Sequence, residues 1–152
     1  MRDILDLQDG RVDIPMLDDA GIAALLSSSR RIAVIGASAN PNRASNGVIR
    51  YLVDVGYEVV PVNPGETEVA GLRCYPTLAE AFAATGPVDI VDVFRRAELC
   101  APHAEEAVAI GARCLWLQLG IVNLDAARIA EASGLGVVMD RCTMVEHARL
   151  IG

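Results

Sequence analysis

The chain has 152 residues, 53% of them apolar, and a formal charge of −7, which suits one domain with one core. That acidic balance disfavours binding to a nucleic-acid backbone, which needs patches of Lys and Arg. No run approaches the roughly 20 apolar residues of a membrane span, no basic n-region precedes an apolar leader, and Cys74, Cys100, Cys114 and Cys142 are scattered, so a cytoplasmic protein with reduced thiols and no metal is expected.

The elements follow in chain order. In the first thirty residues Asp18 or Asp19 caps a helix through Ile22, Leu25 and Leu26 that ends in three serines. Residues 1–30 read as a helical extension whose apolar side packs on the main domain, residues 31–152. Ile32-Ala33-Val34-Ile35 is a buried strand ending at Gly36. A polar loop, Ser38 to Asn46, precedes a helix carrying Val48, Ile49, Leu52 and Val53, which Gly56 stops.

Val59-Val60-Pro61-Val62 is the second strand, closed by Asn63-Pro64-Gly65. A short strand is expected near Arg73-Cys74, then a helix opened by Thr77 and ended by Gly86-Pro87. Val88 to Phe94 forms a strand, Glu98 to Ile110 a helix with Pro102 near its first turn, and Cys114 to Leu119 a strand ended by Gly120. Asn123 caps a helix closed by Gly134, Gly136 to Met139 is the last strand, and Thr143 to Leu150 the last helix.

Strands and helices thus alternate, as repeated βαβ units do. The expected architecture is α/β: a three-layer, Rossmann-like, doubly wound and mostly parallel sheet with helices on both faces. Ligands of such sheets bind at the carboxyl ends of the strands. Those ends are Gly36-Ala37-Ser38, Val62-Asn63-Pro64, Phe94-Arg95-Arg96, Gln118-Leu119-Gly120 and Asp140-Arg141-Cys142.

The first end carries the strongest signal. Gly36 permits a sharp turn and close approach, and the following helix offers free N–H groups and a positive dipole end to an anion. Ser38 and Ser45 add hydroxyls, Arg43 adds a charge, and Asn46-Gly47 a permissive backbone. The motif lacks two of the three glycines of G-x-G-x-x-G, because positions 38 and 41 are Ser and Pro. The second strand ends in neutral Asn63-Pro64 where an NAD site has a carboxylate, and Glu66 lies beyond a Pro-Gly turn. These departures disfavour NAD and suit an adenosine with an extra phosphate, as in coenzyme A. Among the cations, Arg43 and the strand-end Arg95 are expected to meet its charge, with Arg96 facing solvent.

The segments Ile32 to Ser38, Gly56 to Pro64, Val88 to Arg95, Trp116 to Ile121 and Val138 to Cys142 together resemble the small CoA-binding proteins of bacteria and archaea, from about Arg31 onward. That family is similar to the N-terminal CoA-binding domain of the succinyl-CoA synthetase α subunit. The resemblance implies that Gly36, Ala37, Ser38 and Arg43 hold the phosphates and that Asn63 and Pro64 border the nucleotide. It places Phe94 and Arg95 nearby and lines the pantetheine path with Gln118 to Gly120. The synthetase's phosphohistidine belongs to a second domain with no counterpart in these residues, so its ligase activity does not carry over.

No catalytic residue is assigned. His103 is expected to be exposed, and Glu146 and His147, adjacent on a helix, do not face one another. Cys142 with His147 offers a thiol and its base, against a packing role for the last helix. Asp89 is expected near solvent at a strand start, Asp92 as a buried, bonded carboxylate, and Trp116 in the core. The reading is a module that binds CoA or an acyl-CoA, with a protein partner or homodimer left open. Two alternatives remain: an enzyme acting on a CoA thioester through Cys142 or a partner subunit, and an NAD(H)-binding sensor.

Overall fold

A computed structural model describes residues 14–152. Five strands form one parallel sheet: β1 (Arg31–Ile35), β2 (Glu58–Val62), β5 (Ile90–Val93), β6 (Cys114–Leu117) and β7 (Gly136–Val138), in the order β2-β1-β5-β6-β7. Two short strands, β3 (Glu68–Val69) and β4 (Leu72–Arg73), pair antiparallel as a separate ribbon. The helices are α1 (Asp19–Ser28), α2 (Ala44–Asp54), α3 (Leu78–Thr85), α4 (Cys100–Ala109), α5 (Leu124–Ala132) and α6 (Thr143–Leu150). A 3-10 turn, Ala97–Leu99, precedes α4. The α/β, doubly wound architecture read from the sequence is the one observed.

Every central strand is buried on both faces, which is why each reads as a continuous apolar run. Alternate residues enter two cores. Ala33, Ile35, Val91, Val93, Leu115 and Leu117 face one layer, which includes Leu78, Ala104 and Ala127 of α3, α4 and α5. Ile32, Val34, Ile90 and Trp116 face the other, with Ile22, Leu26, Ile49 and Leu52 of α1 and α2. The apolar side of α1 therefore packs on the sheet domain as expected, and Asp18 caps it by accepting from Gly21 N at 2.8 Å. The first thirteen residues of the expected extension lie outside the described residues.

Most boundaries fall within two residues of the pattern. The strand expected at Val88 to Phe94 is shorter because Asp89, its carboxylate accepting from Arg30 N and Arg31 N, ties the strand start to β1. The helix expected from Glu98 begins at Cys100, which leaves Pro102 in the first turn. β2 and β5 flank β1, and the connections leaving β1 and β5 run on opposite faces, so the switch point of the winding lies between β1 and β5.

Candidate functional site

At the switch point the chain leaves β1 through Gly36, with φ of +82°. A Cβ there would collide with the carbonyl oxygen of Phe94, so the close approach of the two strand ends requires glycine. The N–H groups of Gly36 and Ala37 both donate to Val62 O, at 2.9 and 3.3 Å. Asn63 bridges the two loops, donating from Nδ2 to Ala37 O at 2.7 Å and accepting from Gly65 N at 2.9 Å.

The loop then folds on its own polar groups. Ser38 N donates to Ser45 Oγ at 3.0 Å, Asn40 N to Ser38 Oγ at 3.1 Å, and Asn46 Nδ2 to Ser38 O at 2.9 Å. Ala39 N donates to Glu66, so this carboxylate turns back onto the loop despite the Pro-Gly turn before it. The N-cap of α2 is Arg43, whose side chain makes no cap bond. Side-chain acceptors satisfy the starts of α1, α3 and α5, through Asp18, Thr77 and Asn123. The starts of α2, α4 and α6 have no such acceptor, and at the start of α2 Arg43, Ala44 and Ser45 line a cavity of about 360 Å³ with Gly36, Ser38, Asn63 and Phe94. Free N–H groups at a helix start favour a negative charge in general.

Two further cavities adjoin it. One, of about 490 Å³, shares Gly36, Asn63 and Phe94 and has walls of Ile35, Val62, Pro64, Pro76 and Leu78, with Arg95, His103 and Glu106 at its polar side. The other, of about 530 Å³, shares Ala44 and Phe94 and is mainly apolar, with Val48, Leu119, Ile121, Cys142 and Val145. Arg95, Arg96 and Gln118 complete it. Phe94 borders all three.

The structure brings Gly36, Ser38, Arg43, Ser45, Asn63, Pro64, Phe94, Arg95 and Gln118 to these cavities. Two expected residues stand apart. Ala37 is fully buried with its N–H and carbonyl both bonded within the protein. Gly120 donates its N–H to Asp140 Oδ1 at 2.6 Å, and the exposed Leu119 beside it lines the cavity instead. Arg96 is exposed, as expected, and pairs with Glu98 at 3.5 Å.

His103 corrects the expectation of exposure. Its side chain is only 17% exposed, because one turn of α4 brings Glu106 Oε1 within 2.5 Å of Nδ1 and both residues face the 490 Å³ cavity. The i, i+3 spacing of His103 and Glu106 on a helix was the signal in the sequence that would have found the pair. His147 bonds Tyr51 Oη through Nδ1 at 2.9 Å and meets Tyr57 edge-on. Glu146 bonds Arg141 and Arg149, and it does not pair with His147.

Asp92 is the buried, bonded carboxylate expected. It registers with Val34 and Trp116 inside the sheet and is fully enclosed. Oδ1 accepts from Gln118 Nε2 at 2.5 Å and Oδ2 from Thr143 Oγ1 at 2.9 Å. Burial pushes its pKa up to about 7, against the lowering by its two hydrogen bonds. Burial likewise pushes the Cys100 thiol up to about 11 and raises Cys74 and Cys114, which makes all three poor thiolates. Among the described residues no group of three or more His, Cys, Asp or Glu is placed to hold a metal ion. No described helix is long and apolar enough to cross a membrane.

Comparison with known proteins gives this geometry a context. The family model described as a CoA binding domain matches residues 30–148. The uncharacterized protein YneT of Bacillus subtilis (strain 168) is 42% identical over 129 residues, covering 85% of this chain and 93% of that one. A solved hypothetical protein from Pyrococcus horikoshii OT3 is 36% identical with a TM-score of 0.84, covering 93% of this chain and 99% of that one. The dinucleotide-forming acetyl-coenzyme A synthetase 1 of Ca. Korarchaeum cryptofilum, solved with phosphate and ADP, aligns over 72% of this chain and 25% of its own length. Its TM-score is 0.62 at 22% identity, a likeness of fold alone.

Proposed function

The chain belongs to the CoA binding domain family, and from that premise we propose that it binds coenzyme A or an acyl-CoA across the strand ends, as a binding module. One observation carries the reading. The uncapped start of α2, with Arg43 at its mouth, opens on a cavity that adjoins a larger one on each side. CoA is a pyrophosphate with a phosphorylated adenosine at one end and a pantetheine arm at the other. The central cavity suits the pyrophosphate, the 490 Å³ cavity the adenosine, and the apolar 530 Å³ cavity the arm. Arg43 and Arg95 make no ion pair among the described residues, so their charges are available to phosphate.

The module reading rests on where the candidate catalytic groups stand. His147 bonds Tyr51 and His103 bonds Glu106, each through Nδ1, and among the described residues no hydrogen bond joins either imidazole to Cys142. Calorimetry tests the proposal: CoA or an acyl-CoA binds more tightly than NAD(H), and Arg43→Ala weakens CoA binding by about 1.5–3 kcal/mol, the worth of a charge-assisted contact. Equal affinity for NAD and CoA overturns it. Hydrolysis of an acyl-CoA that is lost in Cys142→Ala would instead make the chain an enzyme.

A further inference from the structure

Gln118 is 4% exposed, yet it lines the apolar cavity. Its amide group has two N–H donors and one carbonyl acceptor. Nε2 spends both donors inside the protein, on Asp92 Oδ1 at 2.5 Å and Thr143 Oγ1 at 3.0 Å. The Thr143 hydroxyl, having accepted from Gln118, donates its own proton to Asp92 Oδ2 at 2.9 Å. This closed triangle has one consistent direction while Asp92 is ionised, because a carboxylate only accepts. No described residue donates to Gln118 Oε1, and that oxygen is not among the buried polar atoms sealed away without a partner. It is an unmet acceptor opening on an apolar cavity.

We infer that Asp92 and Thr143 are positioning residues that fix the Gln118 amide so that its carbonyl oxygen faces the cavity and accepts an amide N–H of the pantetheine arm. The inference rests on the proposed binding of CoA and adds what its arm is recognised by. An acceptor opening on a cavity lined by Val48, Leu119, Ile121 and Val145 selects a ligand that is apolar along its length and carries an N–H at one place. Pantetheine, a chain of methylenes with two secondary amides, has that character.

The test separates the arm from the rest of the ligand. Calorimetry at pH 8 compares CoA with adenosine 3′,5′-bisphosphate, which lacks the arm. Asp92→Asn is nearly isosteric, but it replaces one of the two carboxylate oxygens that accept from Gln118 and Thr143 with an N–H₂ donor and so breaks the closed triangle that fixes the Gln118 amide. The expected result is a loss of about tenfold for CoA and an unchanged affinity for the bisphosphate. Gln118→Met removes the acceptor directly and gives the same selective loss, so it carries the test should Asp92→Asn fail to fold. Equal losses for both ligands, or no loss for CoA, overturn the inference. If the unaltered protein binds both ligands equally well, the arm is not recognised and this inference alone falls; if it binds neither, the proposed function falls with it.

Discussion

Asp92 stands inside a parallel sheet with nothing but hydrogen bonds to offset its burial. Its pKa in the fold, about 7, lies above its ordinary value of 3.8, so the folded chain holds a proton that the unfolded chain has released. The stability this proton supports is present below about pH 4–7 and is lost as pH rises through the folded pKa. Chemical denaturation at pH 5 and pH 8 should therefore show the wild type losing on the order of 2 kcal/mol relative to Asp92→Asn on going to the higher pH. A constant difference between the two proteins would mean that Asp92 is already ionised at pH 5. Glu66 gives a second prediction at this scale. Its carboxylate sits on the Ala39 N–H of the loop that is to receive an anion. Glu66→Gln keeps an acceptor there and removes the charge, and at low salt it should tighten CoA binding several-fold by calorimetry, since two like charges about 4 Å apart repel by about 1 kcal/mol in water.

Like α4 and α6, and unlike α1, α3 and α5, α2 lacks a side-chain cap, although Arg43 has the extended backbone, φ −84° and ψ 144°, of a capping residue. Function and stability therefore pull in opposite directions at one position. Arg43→Asp supplies an acceptor and a favourable charge to the helix start, worth about 1 kcal/mol of stability to the free protein. The same change places a negative charge where phosphate is to bind. Thermal melting should show a higher Tm for Arg43→Asp, and calorimetry should show no CoA binding; a lower Tm would remove the uncapped helix as the basis of the site.

Elements of this kind were legible in the sequence because their signals are local. The apolar run Ile32 to Ile35, the glycine after it and the caps Asp18, Thr77 and Asn123 all act within a few residues. The bonds that finish the site join distant segments: Gln118 to Asp92 across 26 residues, Thr143 to Asp92 across 51, Glu66 to Ala39 across 27. Those depend on which strands lie side by side, and no periodicity in a single strand states that. Ala37 and Gly120 show the converse. Their sequence neighbourhoods are right, but their backbone groups are taken up in joining loops, to Val62, Asn63 and Asp140.

On the scale of the whole molecule, an acidic chain with a charge of −7 is proposed to bind a polyanion. The general field opposes the ligand, and attraction is confined to the mouth of α2 and to Arg43 and Arg95. Added salt screens both the repulsion and the attraction. In Arg43→Ala the repulsion outlives part of the attraction, so raising salt from 50 to 500 mM should weaken CoA binding by a smaller factor in the variant than in the wild type. Titrations at three salt concentrations check this, and parallel salt slopes would take Arg43 out of contact with phosphate.

Phe94 is one residue that serves as a wall of all three cavities. A shift of that ring to admit one part of a ligand changes the room left for the other two parts. If CoA lies across these cavities as proposed, its parts are not independent tenants, because they share this wall. A substitution at position 94 would then alter three walls at once.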